Sequence, residues 1–353
     1  MKQLYIAMIG YGRSGRDIHT KYLLTAPEKF KIVYAVDAIA ERRTKAEKEL
    51  GCPALADYRE LFGKTGIDFV VNASFSHQHL PVTLDLLEHG FNVLCEKPFA
   101  HTAAQVDELI AKQKDCGKML AVFQQSRFAP FFEQVKKVIA SGVLGKIVQI
   151  GIQYNGYARR WDWQTLQEFG GGSLYNTGPH PVDQALNLLD YPGNPGVLCR
   201  MNRLNAFGDA EDYVKLILTA PDRPLIDVEI SSCDAYPSFT YKIHGSTGGL
   251  MGGTTEIKWR WFVPSESPGQ KLLREPLHDN EWNPLYCYET LPWHEDSWKT
   301  DDAGVFTYAV EKLYDTVREH LINGKPLVVT PEQVRQQIWV MEEAHRQNPL
   351  PRL

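Results

Sequence analysis

Short apolar runs alternate with amphipathic helical stretches through the first third of this chain, and this alternation limits the fold to one class. Five runs are too short for buried helices and are rich in Val, Ile and Phe, which favours buried strands. These runs are Leu4–Ile9, Ile32–Val36, Ile67–Val71, Phe91–Cys95 and Met119–Phe123. The stretches between them have the three- and four-residue apolar spacing of helices. These stretches are Arg16–Leu24, Glu41–Leu50, Leu80–His89 and Ala103–Asp115. The pattern predicts an α/β fold, with a doubly wound parallel sheet covered by helices on both faces.

A glycine-rich turn joins the first predicted strand to the first predicted helix. Glycines at three of its positions permit a tight turn, close approach of the backbone to a pyrophosphate, and packing of the helix on the strand. The start of the helix also offers free N–H groups to phosphates. The turn therefore predicts a dinucleotide site. It consists of Gly10, Tyr11, Gly12, Arg13, Ser14 and Gly15.

Asp37 ends the second predicted strand, 22 residues after Gly15. A carboxylate at this position can accept hydrogen bonds from the adenosine ribose hydroxyls, and it repels a 2′-phosphate. NAD is therefore the expected cofactor. Arg42 and Arg43 lie close enough in sequence to leave the use of NADP open.

The turn after the third predicted strand, residues 72–79, is small and polar. Ligands bind at the carboxyl edge of such sheets, so this turn is expected to contact the cofactor's ribose and phosphates. His77 and His79 are two residues apart on a turn without a third ligand nearby, which is poor spacing for zinc. No metal site is predicted.

Glu96, Lys97 and Pro98 follow the fourth predicted strand. Pro98 disfavours a helical conformation at the preceding residue, so the backbone helps to direct the Lys97 ammonium. A cation at this edge can lie beside both a nicotinamide and a substrate hydroxyl. Taken alone, the same tripeptide is more typical of a surface lysine before a proline that ends a strand, so a functional role for Lys97 depends on the other motifs of the chain.

The second half of the chain has a different pattern. Its apolar runs predict a mostly antiparallel sheet and two C-terminal helices. The strands are Lys146–Tyr154, Tyr213–Thr219, Leu225–Ser231 and Phe239–His244, and the helices are Phe306–Ile322 and Pro331–Gln347. We therefore divide the chain into a dinucleotide-binding domain, residues 1–123, and a substrate-binding and oligomerisation domain, residues 124–353. The segment Gly252–Asp301 is rich in Trp and Tyr, and a pocket wall, a subunit interface and simple packing all remain open for it.

A second glycine-rich loop, Gly170–Gly172, leads toward a helix that begins near Pro179. Proline is tolerated there only in the first helical turn. His180 and Asp183 are then three residues apart on one face, so the carboxylate is expected to orient the imidazole, and Asn176 lies within reach of that face. The alternative for His180 is a polar group that caps the helix.

Composition excludes several other classes of protein. The 353 residues carry a formal net charge of -5 without a block of basic residues, so nucleic acid is not an expected partner. The six cysteines have no C-x-x-C spacing, which indicates reduced thiols in a cytoplasmic protein. No apolar run is long enough to span a membrane. An open sheet in the second domain leaves one face to bury, which favours a homodimer or homotetramer.

In combination, these motifs resemble those of the glucose–fructose oxidoreductase / inositol dehydrogenase / MocA family. The glycine turn, the turn ending in His79, the Glu96-Lys97-Pro98 motif and the segment from Asn176 to Asp183 have that family's order and spacing. The resemblance covers nearly the whole chain. It implies an NAD(P)-dependent oxidoreductase that acts on a secondary alcohol of a sugar, a cyclitol or one of their derivatives.

The resemblance also implies roles for individual residues. The family's catalytic lysine corresponds to Lys97 and its catalytic histidine to His180. Besides the glycine turn, the implied cofactor contacts are Asp37, Ser74, Phe75, His79, Glu96, Lys97 and Gln125. On this basis, His180 accepts the proton of a substrate hydroxyl and Lys97 stabilises the developing negative charge on its oxygen.

One position departs from the family pattern. Many members have Asp where this chain has Asn176, and an amide can bind a hydroxyl but cannot share a proton at neutral pH. Any proton relay must then depend on His180, Lys97 and Asp183, while Asn176 binds substrate. Arg159 and Trp161 precede the second glycine loop, and their side chains suit hydroxyl binding and stacking on a sugar face.

Two other function classes remain open. Some relatives oxidise a sugar ring only to weaken a neighbouring bond and then reduce it again, so the chain can be a glycoside-cleaving enzyme without net cofactor turnover. The other alternative is a non-catalytic nucleotide-binding sensor, which the presence of both Lys97 and His180 disfavours.

Overall fold

The computed structural model of the protein describes residues 2–301 and 304–353. Six parallel strands form the N-terminal sheet, in the order β3-β2-β1-β4-β5-β6. The strands are β1 (Leu4–Ile9), β2 (Phe30–Val36), β3 (Ala54–Leu55), β4 (Phe69–Asn72), β5 (Val93–Cys95) and β6 (Leu120–Val122). The order reverses between β1 and β4, and the crevice at such a reversal is where ligands bind in doubly wound sheets.

Helices cover both faces of this sheet. The first begins as a wide helical segment with i to i+5 hydrogen bonding, Arg13–Thr20, and continues as α1 (Lys21–Leu23). The others are α2 (Ala40–Leu50), α3 (His79–Glu88) and α4 (Ala103–Cys116). Capping defines α4: the Thr102 side chain accepts a hydrogen bond from the Gln105 N–H, and Gly117 ends the helix with a φ of 61°.

Eight strands form the C-terminal sheet, in the order β16-β13-β12-β11-β7-β10-β9-β8. All neighbouring pairs are antiparallel except β7 and β10, which are parallel. The strands are β7 (Ile147–Asn155), β8 (Gly196–Asn202), β9 (Tyr213–Thr219), β10 (Leu225–Ser231), β11 (Tyr241–Gly245), β12 (Gly248–Gly252), β13 (Glu256–Trp261) and β16 (His294–Lys299). In the sequence between β13 and β16, a small separate hairpin is formed by β14 (Leu277–His278) and β15 (Pro284–Leu285).

The remaining helices connect the two sheets. They are α5 (Pro130–Ala140), α6 (Ser173–Asn176), α7 (Pro179–Leu188), α8 (Val305–Asn323) and α9 (Pro331–Gln347). Leu313 and Tyr314 of α8 are buried in the same apolar cluster as Leu4 and Ile6 of β1. The last part of the chain therefore returns to the N-terminal sheet, across the division at residue 123 that the sequence analysis predicts.

The aromatic segment between β12 and α8 has two kinds of residue. Trp259 and Trp298 pack partly against the apolar core, whereas Trp282, Tyr286 and Tyr288 are mostly exposed. None of these five side chains lines the cleft described below. Among residues 2–301 and 304–353, no helix is both long and apolar enough to cross a membrane.

Candidate active site

A cleft of about 930 Å³ opens at the carboxyl edge of the N-terminal sheet. Gly10, Asp37, Ala73 and Glu96, which directly follow β1, β2, β4 and β5, line its inner wall. The second half of the chain closes the opposite side. Its lining residues include Trp163, Gln164, Tyr175, Asn176 and His180. The cleft therefore brings together residues of the glycine turn, Asp37, the turn after β4, the Glu96-Lys97-Pro98 motif and the segment that contains Asn176 and His180.

The glycine turn has no room for side chains at two of its positions. Gly10 has a φ of 85°, and a Cβ there would overlap the carbonyl oxygen of Ala73. A Cβ at Gly15 would overlap the carbonyl oxygen of Gly10, so the helix contacts the turn directly. Gly12 lines the cleft beside Arg42. This backbone can approach a bound phosphate closely, as the glycine fingerprint requires.

The side chains of the turn differ in direction. Arg13 and Ser14 line the cleft. Tyr11 is buried, and its hydroxyl donates a 2.7 Å hydrogen bond to Glu49 Oε2. Only the backbone of Tyr11 is thus near the predicted dinucleotide site.

Asp37 holds the turn as well as lining the cleft. Its Oδ2 accepts a hydrogen bond from the Tyr11 N–H at 2.8 Å, and its Oδ1 accepts one from the Ile39 N–H at 2.9 Å. Arg42 Nη1 lies 3.5 Å from Oδ2. A carboxylate fixed by two N–H groups retains acceptor capacity for a ribose hydroxyl. The nearby arginine provides the cation that an additional phosphate would need.

The turn after β4 places Ser74 and Phe75 on the cleft wall. The Ser74 hydroxyl donates to Asn72 Oδ1 at 2.7 Å, and the Phe75 ring lies edge-on to Trp163 with 5.4 Å between ring centroids. His79 is almost completely buried, and burial lowers its pKa. Its Nδ1 lies 2.7 Å from the Pro98 carbonyl oxygen, and its Nε2 lies 3.1 Å from the Ser74 carbonyl oxygen. His79 therefore joins two turns of the cleft wall.

Lys97 extends from the end of β5 across to the second half of the chain. Its ammonium donates a 2.8 Å hydrogen bond to the backbone carbonyl oxygen of Asn176. The peptide bond between Lys97 and Pro98 is cis. Burial lowers the pKa of Lys97, although the Glu96 charge acts in the opposite direction. The lysine thus lies in the cleft with donor hydrogens available to a ligand oxygen.

Glu96 is a buried anion behind this lysine. Its Oε2 accepts a hydrogen bond from the Lys97 N–H at 2.9 Å, and its Oε1 lies 3.1 Å from His19 Nε2. Burial acts to raise the pKa of Glu96, but the His19 hydrogen bond and the Lys97 charge together lower it to about 2. The sequence analysis did not identify His19. The available signal was a histidine among the apolar positions of the first helix, beside Ile18 and Tyr22.

His180 lies in the first turn of α7, on the cleft wall. Its Nδ1 is buried and has no hydrogen-bond partner within the described residues. Burial lowers the pKa of His180 to about 3, and the Lys97 charge acts in the same direction. Gln125 Oε1 is likewise buried at the cleft without a partner. A neutral imidazole and an amide oxygen are therefore available to a ligand.

The expected contact between Asp183 and His180 is not formed. Asp183 is fully buried, and its carboxylate makes a bidentate pair with Arg127, in which Arg127 Nε donates to Oδ2 at 3.0 Å. The Tyr191 hydroxyl donates to Oδ1 at 3.3 Å. Asp183 is not among the lining residues of the cleft. The helical spacing placed Asp183 correctly on α7, but its side chain is buried against Arg127, which lies on another segment of the chain.

Replacement of Asp183 by alanine is expected to lower the free energy of unfolding by about 3–5 kcal/mol, because it leaves the Arg127 guanidinium buried without its counter-charge. Urea unfolding of the purified variant measures this change. Asp107→Ala is the matched control, since Asp107 pairs with Arg335 at the surface and its loss should cost less than about 1 kcal/mol. A stable Asp183→Ala protein that has lost turnover would instead support the imidazole-orienting role.

Arg159 and Trp161 also lie away from the cleft. The Arg159 guanidinium lies 4.8 Å from the centroid of the Phe207 ring, and the Trp161 side chain is 77% exposed and packs edge-on to the same ring. Neither lines the cleft. Trp163 and Gln164, two and three residues beyond Trp161, occupy that wall instead. Which residues of an irregular loop face the cleft cannot be predicted from the sequence, because such a loop has no regular side-chain periodicity.

The cleft fits a dinucleotide by its own chemistry. The glycine turn leaves a backbone surface without Cβ atoms at Gly10 and Gly12, directly before a helix N-terminus. Asp37 supplies acceptors at one end, and Lys97, His180 and the unpartnered Gln125 Oε1 supply polar groups at the other. This distribution matches a ligand with a pyrophosphate in the middle and polar rings at both ends.

Comparison with known proteins gives the same result. The sequence model described as "Oxidoreductase family, NAD-binding Rossmann fold" matches residues 4–124, and the one described as "GFO/IDH/MocA C-terminal domain" matches residues 132–251. The uncharacterized oxidoreductase YdgJ of Escherichia coli is 28% identical over 70% of each chain. The scyllo-inositol 2-dehydrogenase (NADP(+)) IolW of Bacillus subtilis is 24% identical over 96% of this chain and 92% of its own.

Two further proteins extend the comparison. The D-glucoside 3-dehydrogenase of Escherichia coli is 30% identical over 54% of this chain and 55% of its own. The crystal structure of GenD2, from gentamicin A biosynthesis, in complex with NAD has the same fold, with a TM-score of 0.75 at 20% identity over 98% of this chain and 94% of that chain. The two family models together match more than half of this chain. The chain therefore belongs to the GFO/IDH/MocA family of NAD(P)-dependent oxidoreductases.

Proposed function

We propose that this protein transfers hydride between NAD(P) and a secondary alcohol or ketone of a sugar, a cyclitol or a glycoside. The observation that carries the proposal is the meeting of Lys97 and His180 at one end of the cleft, at the carboxyl edge of the N-terminal sheet. Two of the relatives are named as dehydrogenases of scyllo-inositol and of D-glucosides, which supports a polyol substrate.

The roles of the residues follow from their protonation and contacts. His180 is neutral in the folded protein, because its pKa is lowered to about 3, and it accepts the proton of the substrate hydroxyl. Lys97 donates a hydrogen bond to the same oxygen and stabilises the negative charge that develops there. Asn176 holds the lysine through its backbone carbonyl oxygen and offers its side-chain amide to a neighbouring hydroxyl. NAD(P), when bound, supplies the hydride acceptor.

The decisive experiment is a panel of sugars, inositols and aryl glycosides assayed with NAD and with NADP. Reduced cofactor is followed by its absorbance, and released aglycone is followed separately. Substrate-dependent formation of reduced cofactor supports the proposal. Aglycone release without net reduction of the cofactor would instead assign the redox-assisted cleavage of glycosides, and binding of cofactor without any reaction would assign a sensor.

Replacement of Gly15 by alanine is expected to raise the dissociation constant of NAD about tenfold or more, because the new methyl group overlaps the Gly10 carbonyl oxygen and displaces the turn from the helix. Calorimetric titration with NAD measures this constant. Gly156→Ala is the matched control, since a Cβ at Gly156 meets nothing within 4 Å. Equal affinities of the two variants would contradict the role of the glycine turn in cofactor binding.

The protein is further proposed to form a homodimer or homotetramer. Large apolar side chains on the C-terminal sheet are exposed, including Leu198 at 68% and Met251 at 50%. Closed symmetric assemblies are the usual way in which such faces become buried. Light scattering of the purified chain measures its mass in solution, and a monomer at micromolar concentration would reject this assignment.

A further inference from the structure

We infer that His19 is a positioning residue for Lys97, which acts by holding the Glu96 carboxylate in place behind the lysine. This inference rests on the proposed role of Lys97. It concerns a buried residue that does not line the cleft.

A continuous chain of hydrogen bonds connects α8 to the lysine. The Tyr314 hydroxyl lies 2.7 Å from His19 Nδ1, and His19 Nε2 lies 3.1 Å from Glu96 Oε1. Glu96 Oε2 then accepts the backbone N–H of Lys97 at 2.9 Å. Both oxygens of the carboxylate are therefore engaged, one by the imidazole and the other by the residue that it positions.

The positions of the hydrogens between Tyr314, His19 and Glu96 follow from the protonation states of Tyr314 and Glu96. Glu96 is ionised, so the hydrogen between it and His19 belongs to Nε2. Burial raises the pKa of Tyr314 well above its usual value, so the hydroxyl keeps its hydrogen and can donate it to Nδ1. The Phe123 ring packs against one side of the imidazole, with 4.1 Å between the ring centroids. His19 has no solvent exposure, so both ring nitrogens have protein groups rather than water as hydrogen-bond partners.

A buried carboxylate needs such a donor, because an anion removed from water is costly unless it is hydrogen bonded. Without the imidazole, the pKa of Glu96 would rise, because burial raises it and the lowering effect of the His19 hydrogen bond would be lost, while the Lys97 charge and N–H would remain. A protonated Glu96 would release its hold on the Lys97 N–H. It would also remove the negative charge that raises the pKa of the lysine. The charged and titratable groups that interact with the lysine include Glu96, Arg13, His79 and His180.

Two variants separate this role from simple packing. His19→Gln places an amide N–H near the position of Nε2 and keeps a donor for Glu96, whereas His19→Asn ends near Nδ1, keeps a partner for Tyr314 and leaves Glu96 without its donor. Titration of ¹³C-labelled glutamate side chains by NMR, with the Glu96 signal assigned from Glu96→Gln, reports the carboxyl directly and needs no substrate.

The pKa of Glu96 is expected to rise in His19→Asn by about two units or more and to stay near the wild-type value in His19→Gln. The pH profile of kcat should then gain an acid limb at that pKa in His19→Asn only. A Glu96 that titrates equally in both variants would overturn the inference, as would a shifted Glu96 without a new acid limb.

The inference can still be tested if His19→Asn does not fold or if no substrate is found. If His19→Asn does not fold, Glu96→Gln removes the charge but keeps an amide oxygen for the Lys97 N–H, and kcat should be low at every pH; wild-type turnover in that variant would also overturn the inference. If no substrate in the panel reacts with the wild-type protein, the proposed function fails, and the NMR titration still decides whether His19 holds Glu96.

Discussion

Replacement of Lys97 by alanine is expected to lower kcat about a hundred- to a thousandfold while NAD still binds. The ammonium is the donor positioned for the substrate oxygen, and its loss leaves the developing alkoxide without a stabilising charge. The substitution leaves the expected cofactor contacts at the glycine turn, Asp37 and Ser74 unchanged, because these residues line other parts of the cleft. Steady-state kinetics on the best substrate of the panel and calorimetric titration with NAD measure the two effects separately.

Lys112→Ala is the control for this experiment. Lys112 lies on α4 and pairs with Glu88 3.6 Å away at the surface, so its loss should leave both kcat and NAD binding unchanged. Lys97→Arg adds a second comparison, because it keeps the positive charge but changes the shape and reach of the donor. Near-normal turnover of Lys97→Ala would remove the lysine from the proposed mechanism.

The N-terminal sheet could be predicted almost completely from the sequence, because its signals are local. The run Leu4–Ile9 was predicted as a strand and is β1 with the same limits. Periodicity predicted the helix at Ala103–Asp115, and α4 extends one residue further. β3 consists of only two residues, Ala54 and Leu55, which is too short for any alternation to be visible.

The C-terminal sheet could be predicted only in part. β9 and β10 have the predicted limits, but β8, β12, β13 and β16 were not identified. Glycine-rich β12 lacks side chains that would show alternation, and all six residues of β16 are polar or only partly buried at the edge of the sheet. Such strands form because a neighbour supplies hydrogen-bond partners, and a single sequence does not contain that information.

The same distinction applies to the site. Motifs on the carboxyl ends of parallel strands meet by topology, so Gly10, Asp37 and Lys97 line one cleft as expected. The partner of a buried charge is decided by packing between distant segments. Arg127 is 56 residues from Asp183, and the bond between them could not be predicted from helical spacing. His19 is 77 residues from Glu96 and was missed for the same reason.

Replacement of His180 by alanine is expected to lower kcat for alcohol oxidation about a hundred- to ten-thousandfold, because the variant lacks the base that accepts the hydroxyl proton. NAD binding should change little, since the glycine turn and Asp37 are unaffected. His89→Ala is the matched control: His89 is exposed at the end of α3, where its ring stacks on Phe62. Turnover of His180→Ala equal to that of the control would exclude the imidazole as the base.

The pH dependence provides an independent test of this role. His180 must be unprotonated to accept a proton, and its pKa is lowered to about 3 in the folded protein by burial and by the Lys97 charge. The active form is therefore fully present above that pKa and is lost only as the pH falls through it, well below the ordinary histidine value of about 6.5. We expect kcat for oxidation to have no acid limb between about pH 5 and 7. An acid limb near pH 6.5 that disappears in His180→Ala would show instead that the imidazole titrates normally, and that the buried, Lys97-facing position does not set its protonation.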